Sequence, residues 1–182
     1  MTELDSFNDK LLEGTSRSFY LTLKRLPKSV KGQIGLLYLL ARISDTIADS
    51  GDSGGEDLLQ LLEDYNSRAQ GHSDSMPDFS NLSDVQENPS EGLLLRGAHG
   101  PIELLEEASV VDRELIRRCL DIIVSGQRMD LERFSDKDGS GIRSLSRYEE
   151  MDDYAYRVAG SVGEFWTEIC LEHAFEASAE MK

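Results

Sequence analysis

Apolar residues recur along most of this chain at the three- and four-residue spacing of amphipathic helices, and no stretch alternates as a strand would. The longest helical pattern covers residues 28–49. The remaining patterns predict helices at about 4–14, 16–26, 56–68, 102–109 and 112–134 (capped by Asp112), and one uninterrupted helix from about 146 to 175. The fold class predicted from the chain is therefore all-α.

Residues 69–100 interrupt this helical pattern. Ser, Gly, Asn, Asp and Pro are abundant there and apolar periodicity is lost, as is typical of a connecting loop. We predict one domain over residues 1–182, in which residues 69–100 form a flexible insertion and a long connection. Pro101 suits the start of the next helix.

The predicted helix over residues 28–49 carries a narrow polar strip opposite its leucines. At about 100° per residue, four side chains fall within roughly 60° of one another: Tyr38, Arg42, Asp45 and Asp49. Two carboxylates one turn apart repel each other by a few tenths of a kcal/mol, and a hard divalent cation offsets that repulsion. An ordinary solvent-facing stripe has the same spacing, so a metal site and a plain polar face both remain open.

The charge balance narrows the class of ligand. Acidic residues outnumber basic ones by 35 to 19, giving a net charge of −16, which repels the phosphate backbone of nucleic acids. The first fifty residues are nearly neutral, with seven Lys/Arg against six Asp/Glu. We therefore expect no nucleic-acid binding, while the first fifty residues could receive a phosphorylated small molecule.

The chain shows no sign of secretion or of a transmembrane segment. Its start lacks a basic segment followed by an apolar one, and its longest apolar run, residues 34–41, is too short to span a bilayer. Cys119 and Cys170 have neither a disulfide framework nor a metal-binding spacing and fit as small core residues. We expect a soluble cytoplasmic protein.

Three further motifs combine unusual residues, and each allows two interpretations. Residues 16–20 bring hydroxyls, a guanidinium and aromatic rings together, which suits a diphosphate but also a helix cap with a packed Phe. Gly160 and Gly163 form, with Ala159, a bare helix face that a second helix or a hydrocarbon chain could approach closely. Asp130 lies near the end of an apolar helix, where the helix dipole disfavours a carboxylate.

Four segments, taken in order, resemble the squalene/phytoene synthase family: SRSFYLTLKRLP, LLYLLARISDTIAD, GQRMDLERF and YAYRVAGSVG. The resemblance covers most of residues 12–170, with 69–100 matching poorly. It implies an isoprenoid-synthase-type helical bundle around a deep apolar cavity. It also implies head-to-head condensation of two prenyl diphosphates, farnesyl or geranylgeranyl, in squalene, carotenoid or hopanoid biosynthesis. The implied cofactor is Mg²⁺, with NADPH only if the product is squalene, and an apolar product implies peripheral membrane contact.

The resemblance also implies roles for individual residues. Asp45 and Asp49 match the metal-binding aspartates and, with Tyr154, the catalytic set. Substrate contacts are implied for a larger group: Ser16, Ser18, Phe19, Tyr38, Arg42, Ala159, Gly160 and Gly163.

One feature of the family pattern has no counterpart in this sequence. The family carries a second aspartate-rich motif after the glycine-containing helix, and no such motif follows Gly163 here. We therefore expect a C-terminally truncated bundle that lacks half of the metal site and whose partner is the missing segment. The alternative is a non-catalytic helical fragment or interaction protein derived from this family.

Overall fold

The computed structural model describes residues 3–16, 19–50, 57–134, 145 and 147–175. Every regular element within these ranges is a helix and none is a strand, which confirms the all-α class. In chain order they are α1 (Glu3–Ser16), α2 (Phe19–Arg25), α3 (Lys28–Ala48), α4 (Leu58–Gln70), α5 (Ser80–Asp84), α6 (Pro89–Arg96), α7 (His99–Glu107), α8 (Val110–Phe134), α9 (Tyr148–Ala155), a π-helical turn (Tyr156–Gly160) and α10 (Ser161–His173). No described helix has both the length and the apolar character needed to cross a bilayer.

Helix α3 occupies the centre of the fold. It begins after Pro27, whose carbonyl accepts hydrogen bonds from the first turn of the helix. Its apolar residues are almost completely shielded from solvent, with Leu40, Ile43 and Ile47 at 0% exposure. It packs against α1, α2, α4, α6, α7, α8 and α10. The leucine-rich side is therefore buried, and the polar strip is on a side that a ligand could reach.

Helix α8 forms the second long wall and packs against α3, α4, α10 and the π-helical turn. The sequence predicts Asp112 as its cap, and that prediction is wrong. The helix already begins at Val110, and the Ser109 hydroxyl accepts a hydrogen bond of 3.1 Å from the Asp112 amide. The Asp112 carboxylate is thereby free to contact other helices, and it does so with His173 and Gln33.

The predicted single helix from about 146 to 175 is interrupted by the π-helical turn. This turn passes over Gly126 of α8, where a β-carbon would lie only 2.8 Å from Val158 Cγ1 and 2.9 Å from Arg157 Cβ. Glycine is required here because any side chain would push the turn away from α8. An extra residue within a turn leaves the apolar pattern on both sides intact, so periodicity does not reveal it.

Helices also form inside residues 69–100, so the prediction of a connecting loop throughout this segment is wrong. Both α5 and α6 lie within this segment and bury Leu82 and Leu94 at 0% exposure. These elements are too short to establish a periodicity that sequence inspection can detect. Helix α7 starts at His99, two residues before the predicted start at Pro101. The mobility of this segment stays a prediction.

Candidate active site

A cavity of about 610 Å³ opens between α3, α8, α9, the π-helical turn and the start of α10. Its polar lining residues are Tyr38, Arg42, Asp45, Asp49, Gln127, Asp130 and Tyr154. Its apolar lining residues are Ala41, Ala48, Ile123, Leu131, Val158 and Val162. The cavity therefore combines acidic and cationic groups with a hydrocarbon surface, as a ligand with a charged head and an apolar tail requires.

All four residues of the predicted polar strip on α3 line this cavity. Asp45 and Asp49 lie one turn apart, and Asp49 is the C-cap of the helix. Burial, the charge of Asp45 and, more weakly, Asp130 of α8 raise the pKa of Asp49, although Arg42 acts in the opposite direction. The site thus holds an excess of negative charge that favours a bound cation.

Arg42 connects this acidic strip to a carboxylate from another helix. Its Nη1 pairs with Asp45 Oδ2, and its Nη2 pairs with Glu91 Oε1 of α6 at 2.5 Å. Its Nε is buried and has no hydrogen-bond partner among the described residues. Burial alone would lower the pKa of Arg42, but the hydrogen bond that Arg42 donates to Glu91 and the charge of Asp45 raise it. Arg42 is therefore a permanent cation at the cavity edge.

The motif at residues 16–20 contacts the site indirectly, through Tyr38. The Tyr38 hydroxyl donates to the Thr15 carbonyl at 3.1 Å, and the Phe19 ring lies 5.4 Å from the Tyr38 ring. Phe19 itself does not line the cavity. The buried hydroxyl of Ser16 donates to the Leu12 carbonyl within α1, while Ser18 lies outside the described residues. Phe19 is thus placed to support Tyr38, and Ser16 to support its own helix.

The wall opposite α3 contributes a tyrosine and a third carboxylate. The Tyr154 hydroxyl lies 3.5 Å from Asp130 Oδ2. Burial and the charge of Asp130, followed by those of Asp49 and Asp45, raise the pKa of Tyr154. The phenol is consequently held in its protonated form above neutral pH and faces the acidic strip as a neutral donor.

Three more residues that the resemblance assigns to substrate lie away from this cavity, in addition to Ser16 and Phe19. Tyr154, Val158 and Val162 follow one another at four-residue intervals and share the cavity-facing side. The other positions of the same segment, Ala159, Gly160 and Gly163, are exposed. A β-carbon at Gly163 would meet no atom within 4 Å. Helical spacing directs the two valines into this cavity instead. The contact of the other three residues with substrate stays a prediction.

Three polar residues that line the cavity or adjoin it are absent from the set that the resemblance implies, as are the apolar lining residues. Gln127 and Asp130 follow Ile123 at four- and seven-residue spacing, so the apolar pattern of α8 could have placed them on one face. Asp130 also stood out in the sequence, because the helix dipole disfavours a carboxylate near the end of a helix. Glu91 carried no signal, because it comes from the segment without detectable periodicity.

The carboxylates have the donor chemistry that Mg²⁺ requires, since this ion prefers oxygen ligands. Within the described part of the chain, however, no three His, Cys, Asp or Glu side chains converge closely enough to hold a metal ion. Asp45 and Asp49 therefore fit a metal only if further oxygens come from elsewhere. A diphosphate is a ligand that supplies such oxygens.

Comparison with known proteins agrees with the motifs. The squalene/phytoene synthase family model matches residues 12–181 of the chain. A comparison with curated proteins finds no match.

Proposed function

Because the chain belongs to the squalene/phytoene synthase family, we propose that it is a transferase of isoprenoid biosynthesis that joins two prenyl diphosphates head to head. The family uses prenyl diphosphates as substrates. The observation that carries the proposal is the convergence of Arg42, Asp45, Asp49, Asp130 and Tyr154 on one cavity whose other lining residues are mostly apolar.

The polar strip of α3 binds the diphosphate in this proposal. Asp45 and Asp49 would hold Mg²⁺, which when bound neutralises the charge on the departing diphosphate. Arg42 donates hydrogen bonds to phosphate oxygens, for which its planar guanidinium is well suited. Both kinds of contact favour cleavage of the allylic carbon–oxygen bond, because negative charge accumulates on the diphosphate as that bond breaks.

The apolar lining residues protect the allylic carbocation that this cleavage leaves. Ile123, Leu131, Val158 and Val162 offer no nucleophile and exclude water from the prenyl chain. Tyr154 keeps its proton on Oη at neutral pH, because the ordinary pKa of a phenol is about 10 and burial raises it further. It therefore presents a hydroxyl to the cavity rather than a phenolate. A phenolate there would capture the cation covalently.

The substrate in this proposal is farnesyl or geranylgeranyl diphosphate. NADPH takes part only when squalene is the product, and an apolar product brings the protein into peripheral contact with a membrane. A cytoplasmic location also stays a prediction.

Calorimetric titration with inorganic pyrophosphate, with and without Mg²⁺, tests the site. We expect binding that requires Mg²⁺ and that weakens at least about tenfold, or 1.4 kcal/mol, in the double variant Asp45→Asn, Asp49→Asn. Asp84→Asn is the matched control, because this carboxylate is 70% exposed on α5 and does not line the cavity. Binding that is equal with and without Mg²⁺, or unaffected by the double substitution, would contradict the assignment.

A product assay separates the enzyme from the non-catalytic alternative. Chain that binds pyrophosphate with Mg²⁺ is incubated with each prenyl diphosphate, with and without NADPH, and the lipids are extracted. A head-to-head product that disappears in the Asp45→Asn, Asp49→Asn variant supports the transferase. Binding without any product at high protein concentration supports a binding protein that retains the family's fold.

A further inference from the structure

We propose that Glu91 is a positioning residue that keeps the Arg42 guanidinium at the cavity edge when Asp45 turns to a bound ligand. This inference rests on the proposed function, since it concerns the diphosphate site. Glu91 belongs to α6, which lies within the predicted insertion at residues 69–100.

The two carboxylates that Arg42 contacts differ in position. Asp45 lines the cavity, and its side chain is 39% exposed. Glu91 does not line the cavity, and its side chain is only 17% exposed. A metal-bound diphosphate entering the cavity therefore competes with Arg42 for Asp45 but has no access to the contact with Glu91. Glu91 is the partner that Arg42 retains.

Local structure at the start of α6 fixes the Glu91 carboxylate. Asn88 caps the helix by accepting a hydrogen bond of 3.0 Å from the Ser90 amide, and its Nδ2 donates to Glu91 Oε1 at 3.1 Å. A Glu three residues after the cap commonly turns back to the cap's own amide. Here it turns to Arg42 instead, in the first turn of the helix where the dipole favours a carboxylate.

Two close backbone contacts hold α6 itself in place. A β-carbon at Gly92 would lie 2.6 Å from the Ser83 carbonyl oxygen of α5. A β-carbon at Gly14 of α1 would lie 2.5 Å from Ser90 Oγ. Glycine at both positions allows α6 to approach its neighbours more closely than any other residue would. The position of Glu91 is thus determined by packing on two sides.

The consequence for ligand binding follows from the flexibility of arginine. Arg42 has a long side chain with several rotatable bonds, and a guanidinium without partners samples many orientations. While Glu91 retains Nη2, the other edge of the planar guanidinium stays directed to the site of Asp45 and Asp49. Loss of Glu91 therefore weakens diphosphate binding through disorder of Arg42 rather than through any contact of its own.

The first test measures binding of inorganic pyrophosphate with Mg²⁺ by calorimetry in the Glu91→Gln variant. The substitution keeps the size and hydrogen-bonding capacity of the side chain and removes its charge. We expect a dissociation constant about tenfold higher than in the unaltered chain, and no such increase when Arg42→Lys is already present. Glu103→Gln on α7 is the control, because this carboxylate is exposed and remote from the cavity.

The second test observes Arg42 without any ligand. The Nε–Hε resonance of Arg42, identified by its absence in Arg42→Lys, is expected to be distinct in the unaltered chain and broadened or shifted to the average arginine position in Glu91→Gln. Far-ultraviolet circular dichroism and the thermal midpoint establish that the variant is folded.

The outcomes separate the two proposals. If the unaltered chain binds no pyrophosphate, the proposed function fails and the inference fails with it. Unchanged affinity in Glu91→Gln together with an unchanged Arg42 resonance overturns the inference alone. A loss of affinity that is equally large in the Arg42→Lys background also overturns it, because Glu91 would then act independently of Arg42.

Discussion

The two walls of the cavity differ in how firmly the rest of the protein holds them. On α3, eleven of the 21 residues are buried, and neighbouring helices surround the helix. On α9 and the π-helical turn no residue is buried, and Tyr148 and Met151 are 81% and 48% exposed. The wall that carries the metal-binding candidates is therefore part of the core, whereas the wall that carries Tyr154 is a surface element.

The exposed wall depends on a few specific contacts instead of on a broad apolar interface. The turn approaches α8 at Gly126, the Arg157 guanidinium donates to Ser125 Oγ at 2.8 Å, and Tyr154 reaches Asp130. The charged side chains of α3 therefore keep their positions for as long as the core of the protein is folded. The position of Tyr154 depends only on local contacts, and segments held in this way unfold locally at a lower free-energy cost than the core.

The largest expected effect comes from removing core volume behind the polar strip. Ile43→Ala deletes a completely buried side chain from α3, and we expect a loss of about 2–5 kcal/mol in the free energy of unfolding. Met151→Ala on α9 is expected to change it by less than about 0.5 kcal/mol. Urea unfolding followed by circular dichroism measures both. Similar losses in the two variants would abolish the distinction between the walls.

The sequence predicts the firm wall well, because long apolar helices carry their own pattern. The stripe of α3 fixes which side is buried, so the opposite strip from Tyr38 to Asp49 is necessarily the side that faces the cavity. The family resemblance is confirmed over residues 12–181.

The sequence is less informative where position depends on a contact between distant residues. The interruption of the last helix is determined by close packing on Gly126, which no local pattern shows. Glu91 pairs with Arg42 across 49 positions, and its helix is too short for periodicity. Gly160 and Gly163 are a further example, because a helix face made of small residues does not show whether another helix, a ligand or solvent lies against it. In the structure both glycines are exposed.

The next effect in size concerns the contact that holds the exposed wall. In Gly126→Ala the new methyl group meets Val158 and Arg157 at less than 3 Å, so the π-helical turn must move. We expect a loss of about 1–3 kcal/mol in the free energy of unfolding. Hydrogen exchange should report faster opening of residues 148–160 and little change in α3.

Gly163→Ala is the matched control for this substitution. Both glycines are helical, but a β-carbon at Gly163 meets no atom within 4 Å. Alanine there gains helix propensity without a clash, and we expect stabilisation of up to about 1 kcal/mol. Equal effects of the two substitutions would mean that the contact at Gly126 does not hold the turn.

The smallest expected effect concerns a polar contact that joins the firm wall, α3, to α8 and α10. Asp112, at the start of α8, accepts a hydrogen bond of 3.2 Å from Gln33 of α3 and lies 2.6 Å from His173 Nε2 of α10. Burial alone would raise the pKa of Asp112, but the hydrogen bonds from His173 and Gln33 outweigh burial and lower it. The ionised carboxylate is thus favoured in the folded state.

This lowered pKa makes the contribution of Asp112 depend on pH in a defined direction. Between the lowered pKa and the ordinary value of 3.8, the unfolded chain binds more protons than the folded one, so stability increases with pH. The stabilisation is complete above the ordinary value and is lost as pH falls through the folded pKa.

We expect Asp112→Asn to lower the free energy of unfolding by about 1 kcal/mol at pH 7 and by progressively less below pH 4. Urea unfolding between pH 7 and pH 3 measures this, with the exposed Asp84→Asn as the control. A deficit in Asp112→Asn that stays constant over this range would show that the carboxylate charge does not contribute to the contact of α8 with α3 and with α10, the helix that continues from the exposed wall.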